Sequence, residues 1–237
     1  MSVDFQNFDT TYRPRVLSDF LFEKIADRDL LNSIITGTLP FPSSNKYGLI
    51  FEGQVGIGKS TLAHALPDMM EAAFNGGTAN WCKVYNIKSG LNGAPLFEDI
   101  DQQLEKYHAF NRCRYIILNE VDRLTKASME DLKSLMDTAS KSTVFIMTTN
   151  NVQAINVAVE SRSYTISFNK IPPSAYLPLL KRVMSDYQVD IYTDQDFERL
   201  VSVKHGDVRN VLSAAQQMID AFYKARPLLT PPILPTP

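Results

Sequence analysis

The chain has little of what marks secreted, metal-bound or membrane-spanning proteins. Its 237 residues include two cysteines, Cys82 and Cys113, which are too few for a disulfide framework and have no zinc-ligand spacing. No apolar run is long enough to cross a bilayer, and the first residues lack the basic region and apolar core of a signal peptide. We therefore expect buried thiols in a reducing compartment and no membrane partner. The expected location is the cytoplasm, or the nucleus or host-cell interior if the source is eukaryotic or viral.

The chain also lacks an excess of positive charge. Its 24 basic and 26 acidic residues give a formal net charge of −2. A protein that held DNA by bulk charge alone would be basic, so that class is excluded. Any contact with DNA must come from a local patch or from several assembled copies, and would follow backbone phosphates rather than base edges. Lys88 and Lys126 are weak candidates, and each is better explained as a solvated surface lysine.

One glycine-rich segment is present, and it is highly specific. Gly53–Ser60 has the sequence GQVGIGKS, which fits the phosphate-binding pattern G-x-x-x-x-G-K-[ST], with a predicted strand before it and a predicted helix after it. Glycines let the backbone wrap a phosphate so that successive N–H groups point at the anion, and the helix N-terminus adds partial positive charge. Lys59 is predicted to reach the β- and γ-phosphates, and the Ser60 hydroxyl to bind Mg²⁺. We expect this segment to bind ATP.

Strand-like and helix-like segments alternate through most of the chain. This alternation predicts an α/β fold with a parallel sheet that helices cover on both faces. Residues 1–47 precede it as an arm and a leading helix. The predicted strands are Gly48–Phe51, Lys83–Ile87, Tyr115–Leu118, Val144–Thr148 and Tyr164–Phe168.

A pair of prolines, Pro172 and Pro173, ends the alternation, and only helical periodicity follows. We predict a nucleotide-binding core with its N-terminal arm over residues 1–171 and a small helical domain over residues 172–225. Residues 226–237 are rich in proline and are predicted to form an extended, poorly ordered tail. The predicted helices of the second domain are Ser174–Tyr187, Asp194–Lys204 and Asp207–Lys224.

Another apolar strand ends in residues suited to metal and water chemistry. Tyr115–Leu118 is followed by Asn119 and Glu120. In ATPases with such a strand, the first of these positions holds Mg²⁺ and the second polarises the attacking water. Asn119 is an uncharged amide, and Mg²⁺ favours carboxylates, so we expect weaker metal binding and slow hydrolysis. Glu120 keeps the position of the catalytic base.

Three further polar residues complete the series. If the strand Val144–Thr148 lies between the first and third strands, Asn150 emerges beside the γ-phosphate and can orient the attacking water. Arg162 precedes the last strand and Arg209 opens the final helix. An arginine can stabilise charge on a transferring phosphoryl group, although either one alone would be interpreted as a surface residue.

Taken in order, these segments resemble the AAA+ ATPases of the clamp-loader clade, in particular replication factor C small subunits and the large clamp-loader subunit of tailed phages. The likeness runs from about Thr11 to Gln217. It implies a P-loop AAA+ core with a parallel five-stranded sheet, followed by a small all-helical lid domain. It also implies ATP and Mg²⁺ as cofactors, and other AAA+ subunits, DNA and a sliding clamp as partners.

The resemblance also assigns roles to individual residues. Tyr12, Arg13 and Pro14 match an arm near the adenine, and Ser161–Ser163 resembles the motif whose arginine acts in trans on a neighbour's ATP. Asn150 matches sensor 1, while Gly206–Arg209 matches sensor 2, which reaches ATP from the lid.

The predicted site falls into three groups of residues. The catalytic group is Glu120, Asn150, Arg162 and Arg209. The metal ligands are Ser60 and Asn119. The cofactor-binding residues are Tyr12, Arg13, Pro14, Gly53, Gln54, Val55, Gly56, Ile57, Gly58, Lys59, Ser60 and Thr61.

The chain departs from the family pattern in two ways. Asn119 replaces the family's aspartate, which predicts slow hydrolysis. The sequence also ends after the lid, without the collar-forming helical domain that fixes a five-membered ring in the family. This second departure argues against a stable pentamer.

A stretch near the end of the last predicted helix has two interpretations. Gln216–Tyr223 fits the pattern Q-x-x-[ILM]-x-x-[FY]-[FY], which resembles the peptide that docks on a sliding clamp. Alternatively, Met218, Ile219 and Phe222 face the core of the lid at helical spacing, and we favour this second interpretation because apolar stripes on helices usually pack inward.

Two functions of different classes remain open. The first is an ATP-driven switch that assembles with neighbours on DNA and loads a clamp or a similar replication factor. The second is an ATP-binding adaptor or assembly protein, similar to helicase loaders or transposition regulators, with weak or no hydrolysis. A small-molecule P-loop kinase is disfavoured because it would leave Asn150, Arg162 and the helical lid unexplained.

Overall fold

The chain folds into two compact units, seen in a computed structural model that describes residues 3, 5, 7–90, 92–105, 113–139, 142–169, 171–226 and 228–232. We call Val16–Gln54 with Lys59–Asn169 the sheet unit. The helical unit contains Met1–Arg15, Val55–Gly58 and Lys170–Pro237. The units thus meet in sequence two residues before the predicted boundary, and the N-terminal arm groups with the helical unit instead of with the predicted core.

A five-stranded parallel sheet forms the centre of the sheet unit. Its strand order is β2-β3-β4-β1-β5, and every neighbouring pair is parallel. The predicted fold class is therefore confirmed, and each predicted strand is found within one residue at either end. The strands are β1 Gly48–Glu52, β2 Cys82–Asn86, β3 Arg114–Asn119, β4 Thr143–Thr149 and β5 Ser163–Ser167.

Burial along the strands explains why they are so apolar. All seven residues of β4 are buried, and five of six in β3, because these strands lie inside the sheet with neighbours on both sides. Strand β2 is at the edge and is only partly buried. The helices of this unit are α2 Ile25–Ile35, α3 Lys59–Asn75, α4 Ala94–Glu105, α5 Lys126–Thr138 and α6 Val157–Ser161.

The strand register brings polar strand ends to one edge of the sheet. Glu52 of β1 is paired with Thr149 of β4, and Asn86 of β2 is paired with Asn119 of β3. Strand β4 lies between β1 and β3, as the interpretation of Asn150 required. Since parallel strands all end on the same side, the predicted site residues that follow β1, β3 and β4 emerge together at this carboxyl edge.

The helical unit contains only helices and connecting segments in the part of it that the structure describes. The predicted helix Ser174–Tyr187 is divided into a 3-10 turn, Pro173–Tyr176, and an α-helix, Leu177–Asp186. Pro178 causes the break, because it has no N–H to donate to the carbonyl four residues earlier. The α-helices are α1 Phe8–Thr11, α7 Leu177–Asp186, α8 Asp194–Val203 and α9 Val208–Lys224.

The apolar face of α9 packs inside the helical unit. Ile219, Phe222 and Tyr223 are buried, and the Tyr223 hydroxyl donates to the Tyr187 carbonyl at 2.7 Å. The residues that would anchor a clamp-docking peptide are therefore core residues, which agrees with the interpretation that we favoured. Of the predicted tail, residue 227 and residues 233–237 lie outside the described residues.

The cysteines differ in burial. Cys113 is buried, whereas Cys82 is only partly buried, so the expectation of two buried thiols holds for one of them; neither forms a disulfide. Burial raises the pKa of the Cys82 thiol to about 11, with a further contribution from Asp68. Among the described residues, none of the helices combines the length and the apolar character needed to cross a membrane.

Candidate nucleotide-binding site

The glycine-rich loop occupies the turn between β1 and α3. Gly56 and Gly58 have φ angles of 86° and 98°, a region that residues with a side chain rarely adopt. A Cβ added to Gly58 would meet nothing within 4 Å, so the loop leaves open space beside this residue. Helix α3 begins at Lys59, which means that its first-turn N–H groups have no carbonyl of their own helix to bond. Such groups attract an anion.

Lys59 is the buried cation of the loop. Its side chain is 7% exposed, and its ammonium donates to the carbonyls of Gly53 and Gln54 at 2.6 Å each. It also donates to Asn150 Oδ1 at 3.0 Å. These three acceptors are neutral oxygens. A phosphate oxygen, being anionic, would form a stronger bond with the ammonium than these neutral acceptors do.

Asn150 is fixed in place by a residue that the sequence interpretation missed. Asp122, in the turn after β3, accepts from the Asn150 backbone N–H at 3.2 Å and from the Thr149 hydroxyl at 2.8 Å. The Asn150 side chain itself is exposed apart from its contact with Lys59. Lys59 and Asn150, both predicted site residues, therefore meet at the carboxyl ends of β1 and β4.

Asn119 lies in a chain of neutral hydrogen bonds across three strands. Its Nδ2 donates to Asn86 Oδ1 at 3.0 Å, and its Oδ1 accepts from the Thr148 hydroxyl at 3.1 Å. The Thr148 oxygen in turn accepts from the Glu120 backbone N–H at 3.1 Å. Asn119 is only 7% exposed, so both ends of its amide are satisfied inside the protein.

Glu120 adopts an unusual backbone conformation at the end of β3. Its φ of 61° and ψ of 49° are left-handed, which costs free energy for a residue with a side chain. The carboxylate is partly exposed and accepts from Arg123 Nη1 at 3.0 Å. Only Oε2 is in this ion pair, so Oε1 can accept a proton from water.

Arg162 follows α6 and is engaged within its own chain. Its Nε and Nη2 donate to the two carboxylate oxygens of Asp137 at 2.6 and 2.9 Å, and its Nη1 donates to the Ala158 carbonyl at 2.8 Å. The hydrogen bond to Arg162 lowers the pKa of Asp137, and the same bond raises the pKa of Arg162.

The helical unit holds the remaining predicted residues. Arg209 is exposed on the first turn of α9, whose N-cap Asp207 accepts from Asn210 N at 3.1 Å. Val208 N donates to the Gly56 carbonyl at 3.1 Å. The carboxylate of Asp207 lies so close to Gly56 that a Cβ there would overlap it.

Tyr12 contacts α7 within the same unit. Its buried side chain donates to Asp186 Oδ2 at 2.9 Å, and the Arg182 guanidinium lies 5.7 Å from its ring centroid. Burial, followed by the Asp186 bond, raises the pKa of the Tyr12 hydroxyl above its ordinary value. Arg13 is exposed and Pro14 is half-buried.

Comparison with known proteins places the loop and the sheet in a family. The sequence profile described as "ATPase family associated with various cellular activities (AAA)" matches residues 49–170, just over half of the chain. The chain belongs to the AAA family. The match covers the glycine-rich loop, the end of β3, Asn150 and Arg162.

Individual relatives narrow the likeness to the clamp-loader clade. The chain is 27% identical over 229 residues to the replication factor C small subunit of Aeropyrum pernix, covering 90% of this chain and 65% of the relative. It is 25% identical over 211 residues to replication factor C subunit 4 of Saccharomyces cerevisiae, covering 88% and 62%. The chain thus spans somewhat under two thirds of these relatives. The resemblance drawn from the motifs is confirmed.

Solved structures agree on the fold. A mutant of RuvB from Thermotoga maritima superposes with a TM-score of 0.68 at 18% identity, covering 91% of this chain and 68% of that one. The structure of PCH-2 from C. elegans superposes with a TM-score of 0.57 at 12% identity, covering 89% and 73%. At these identities the likeness concerns the AAA+ fold alone.

The AAA family implies a nucleotide and Mg²⁺, and the residues fit the two groups unequally. The open space beside Gly58, the N–H groups at the start of α3 and the buried Lys59 ammonium suit a polyphosphate. Ser60 is exposed on the first turn of α3 and can offer its hydroxyl to Mg²⁺. Asn119 is a poorer ligand, because its amide oxygen already accepts from Thr148 and carries no charge.

Four residues that contact the predicted site were not anticipated: Asn86, Asp122, Asp137 and Thr148. Asn86 and Thr148 flank Asn119, Asp122 holds Asn150 and Asp137 holds Arg162. Asn86 could have been found as a polar residue at the end of a predicted strand. Asp137 had no sequence signal, because an acidic residue on a helix is ordinarily a solvated one.

Proposed function

We propose that this chain is an ATP-dependent subunit of a clamp-loader-like assembly that acts on DNA and loads a replication factor. The observation that carries the proposal is the contact between Lys59 Nζ and Asn150 Oδ1 at 3.0 Å. It joins the lysine of the phosphate-binding loop to the polar residue at the end of β4, which is the pair of groups that a γ-phosphate and its attacking water require.

The residues of the site divide the work. The N–H groups of the loop and Lys59 bind the phosphates, and Ser60 supplies a metal ligand. When bound, ATP would supply the phosphoanhydride that is cleaved, and Mg²⁺ would share the negative charge that develops on its phosphate oxygens. Asn150 orients a water, and Glu120 accepts its proton on the carboxylate oxygen that Arg123 does not contact.

Arg162 is proposed to act on the nucleotide of a neighbouring subunit. Its position before β5 and the replication factor C names of the relatives support this role. An arginine supplied by a neighbour makes turnover depend on assembly. The net charge of −2 supports DNA contact through a surface built by several copies. On the same likeness we propose a location where DNA is replicated, the cytoplasm or the nucleus.

Nucleotide binding and turnover test the proposal together. ATP affinity is measured by calorimetry, and hydrolysis is measured over a range of protein concentrations with and without primed DNA. We expect binding in the presence of Mg²⁺ and turnover that rises with both protein concentration and DNA. Failure to bind ATP, or turnover indifferent to concentration and DNA, would contradict the proposal.

A second function, an ATP-binding adaptor with little hydrolysis, is favoured by one observation. Asn119 is held at both ends by Asn86 and Thr148 and brings no carboxylate to the metal. In this case ATP would bind and control assembly without turnover. The adaptor would be supported over the loader by two results together. The wild-type chain would bind ATP tightly but not hydrolyse it with primed DNA, and the variant Asn119→Asp would hydrolyse it.

A further inference from the structure

The Arg162 side chain makes three hydrogen bonds among the described residues, and the acceptors lie in two different elements. Asp137 is near the end of α5, and Ala158 is in α6. The Asp137 carboxylate receives Nε and Nη2 side by side at 2.6 and 2.9 Å, while Nη1 donates to the Ala158 carbonyl at 2.8 Å. This two-bond geometry between a planar guanidinium and a carboxylate fixes orientation as well as distance.

The same bonds leave part of the guanidinium for another acceptor. An arginine has five N–H groups, of which Nη1 and Nη2 carry two each. Each terminal nitrogen uses one of its two in the bonds that the structure describes. The Arg162 side chain also remains 23% exposed. Asp137 therefore fixes the guanidinium of Arg162 while leaving some of its N–H groups for another acceptor.

Holding an arginine in advance has a physical benefit. A free arginine side chain samples many rotamers, and ordering it at the moment of catalysis costs conformational entropy. A carboxylate that grips one edge of the guanidinium incurs this cost during folding instead. We propose that Asp137 is a positioning residue for Arg162, fixing its guanidinium so that the remaining N–H groups meet the nucleotide of a neighbouring subunit. The inference rests on the trans role of Arg162 in the proposed function.

A change at Asp137 should lower turnover without lowering stability or ATP affinity. Asp137 is 41% exposed, and exposed ion pairs contribute little to stability even when they are visible in a structure. Asp137→Asn should therefore unfold close to the wild-type temperature and bind ATP with unchanged affinity. Turnover at a shared seam should fall roughly tenfold, less than the roughly thousandfold loss expected on removing a trans-acting arginine.

Two complementary variants separate the chain that supplies the arginine from the chain that supplies the nucleotide. Lys59→Ala keeps Arg162 but loses the phosphate-binding ammonium, and Arg162→Ala does the reverse. Mixed together, they form seams at which both groups are present, and turnover should return. Asp137→Asn placed in the Lys59→Ala chain should lower this turnover roughly tenfold, whereas the same change placed in the Arg162→Ala chain should have no effect.

The inference would be overturned if Asp137→Asn lowered turnover equally in the Lys59→Ala chain and in the Arg162→Ala chain, or lowered it in neither. A silent mixture of the two parent variants would count against the trans role itself, and thereby against both proposals. Asp131→Asn is the matched control, since Asp131 is an exposed aspartate on the same helix and the change in charge is identical. Asp137→Glu, which keeps the carboxylate, should recover part of the turnover that Asp137→Asn loses.

A spectroscopic readout tests the anchoring without any turnover. In ¹⁵N–¹H spectra of the full chain, the Arg162 Nε–H signal is identified by its disappearance in Arg162→Lys. Because Nε donates to Asp137 Oδ1, this signal should exchange slowly with water in the wild type and in Asp131→Asn, and roughly tenfold faster in Asp137→Asn. An Nε–H signal unaffected by Asp137→Asn would overturn the inference whatever the mixed variants do.

Discussion

The carboxyl ends of β1 and β3 bury different kinds of polar group at the same depth. Lys59, just beyond β1, and Asn119, the last residue of β3, are each 7% exposed. Lys59 is a buried cation whose ammonium donates to the carbonyls of Gly53 and Gln54 and to Asn150 Oδ1. Asn119 is uncharged, and both ends of its amide are hydrogen-bonded. A positive charge thus lies in the glycine-rich loop at residue 59, whereas residue 119, where the family resemblance predicts a carboxylate, is neutral.

Removing the Lys59 ammonium should have the largest effect, and the effect should be on ATP affinity. Lys59→Ala deletes the ammonium that faces the phosphates, and we expect ATP affinity to fall roughly a hundredfold or more, since charge-assisted bonds are the strong ones. Calorimetric titration with ATP and Mg²⁺ measures this loss. Lys126→Ala, at an exposed lysine, should bind ATP like the wild type. Wild-type affinity in Lys59→Ala would contradict the assigned loop.

Giving residue 119 a negative charge should have the next largest effect, and the effect should be on turnover. Asn119→Asp supplies the carboxylate that Mg²⁺ prefers, so we expect Mg²⁺-dependent turnover to rise roughly tenfold. Without Mg²⁺ the variant should be less stable by about 1–3 kcal/mol, because it loses the bond to Asn86 and buries an uncompensated charge. Turnover assays and thermal unfolding, each with and without Mg²⁺, measure the two changes. A variant that is no faster with Mg²⁺ would show that Asn119 does not limit hydrolysis.

The chain of neutral hydrogen bonds around Asn119 can be weakened at Thr148 instead. Thr148→Val removes the hydroxyl between Asn119 and Glu120, leaving a buried N–H and a buried carbonyl oxygen without their partner. We expect the free energy of unfolding to fall by about 1–3 kcal/mol. Chemical denaturation measures it.

The same strand offers a matched control for this change. The buried Thr143 hydroxyl has no hydrogen-bond partner among the described residues, so Thr143→Val should be neutral or slightly stabilising. Equal losses at residues 143 and 148 would mean that β4 responds to any change of shape, and that the Asn119 network contributes nothing specific.

The smallest effect is expected at the ion pair of Glu120. Arg123 and Glu120 are 55% and 44% exposed, so Arg123→Ala should change stability by less than about 1 kcal/mol. Because the change frees the Glu120 carboxylate, turnover should stay within about twofold of the wild type or rise slightly. Steady-state hydrolysis measures it. A loss as large as that of Glu120→Gln would show that Arg123 itself takes part in the reaction.

Local pattern was enough to predict the sheet and the position of the glycine-rich loop. Apolar runs located all five strands, and the glycine spacing located the loop, because both signals arise from neighbours in sequence. Lys59 and Asn150 were both expected near the γ-phosphate, since parallel strands end at the same edge, but their direct hydrogen bond was not predicted. The break in the helix at Pro173–Tyr176 was missed because the prediction followed the helical spacing and gave no weight to Pro178.

The order of residues along the chain was sufficient to identify the strand-end side chains and the chemistry that they can offer to a phosphate. The partners of those side chains depend on the folded chain. Asn119 binds residues 33 and 29 positions away, and Arg162 binds one 25 positions away. Pairings between residues so far apart depend on strand order and register, which no short stretch of sequence encodes, and so the neutral setting of Asn119 and the anchor of Arg162 appear only once the chain is folded.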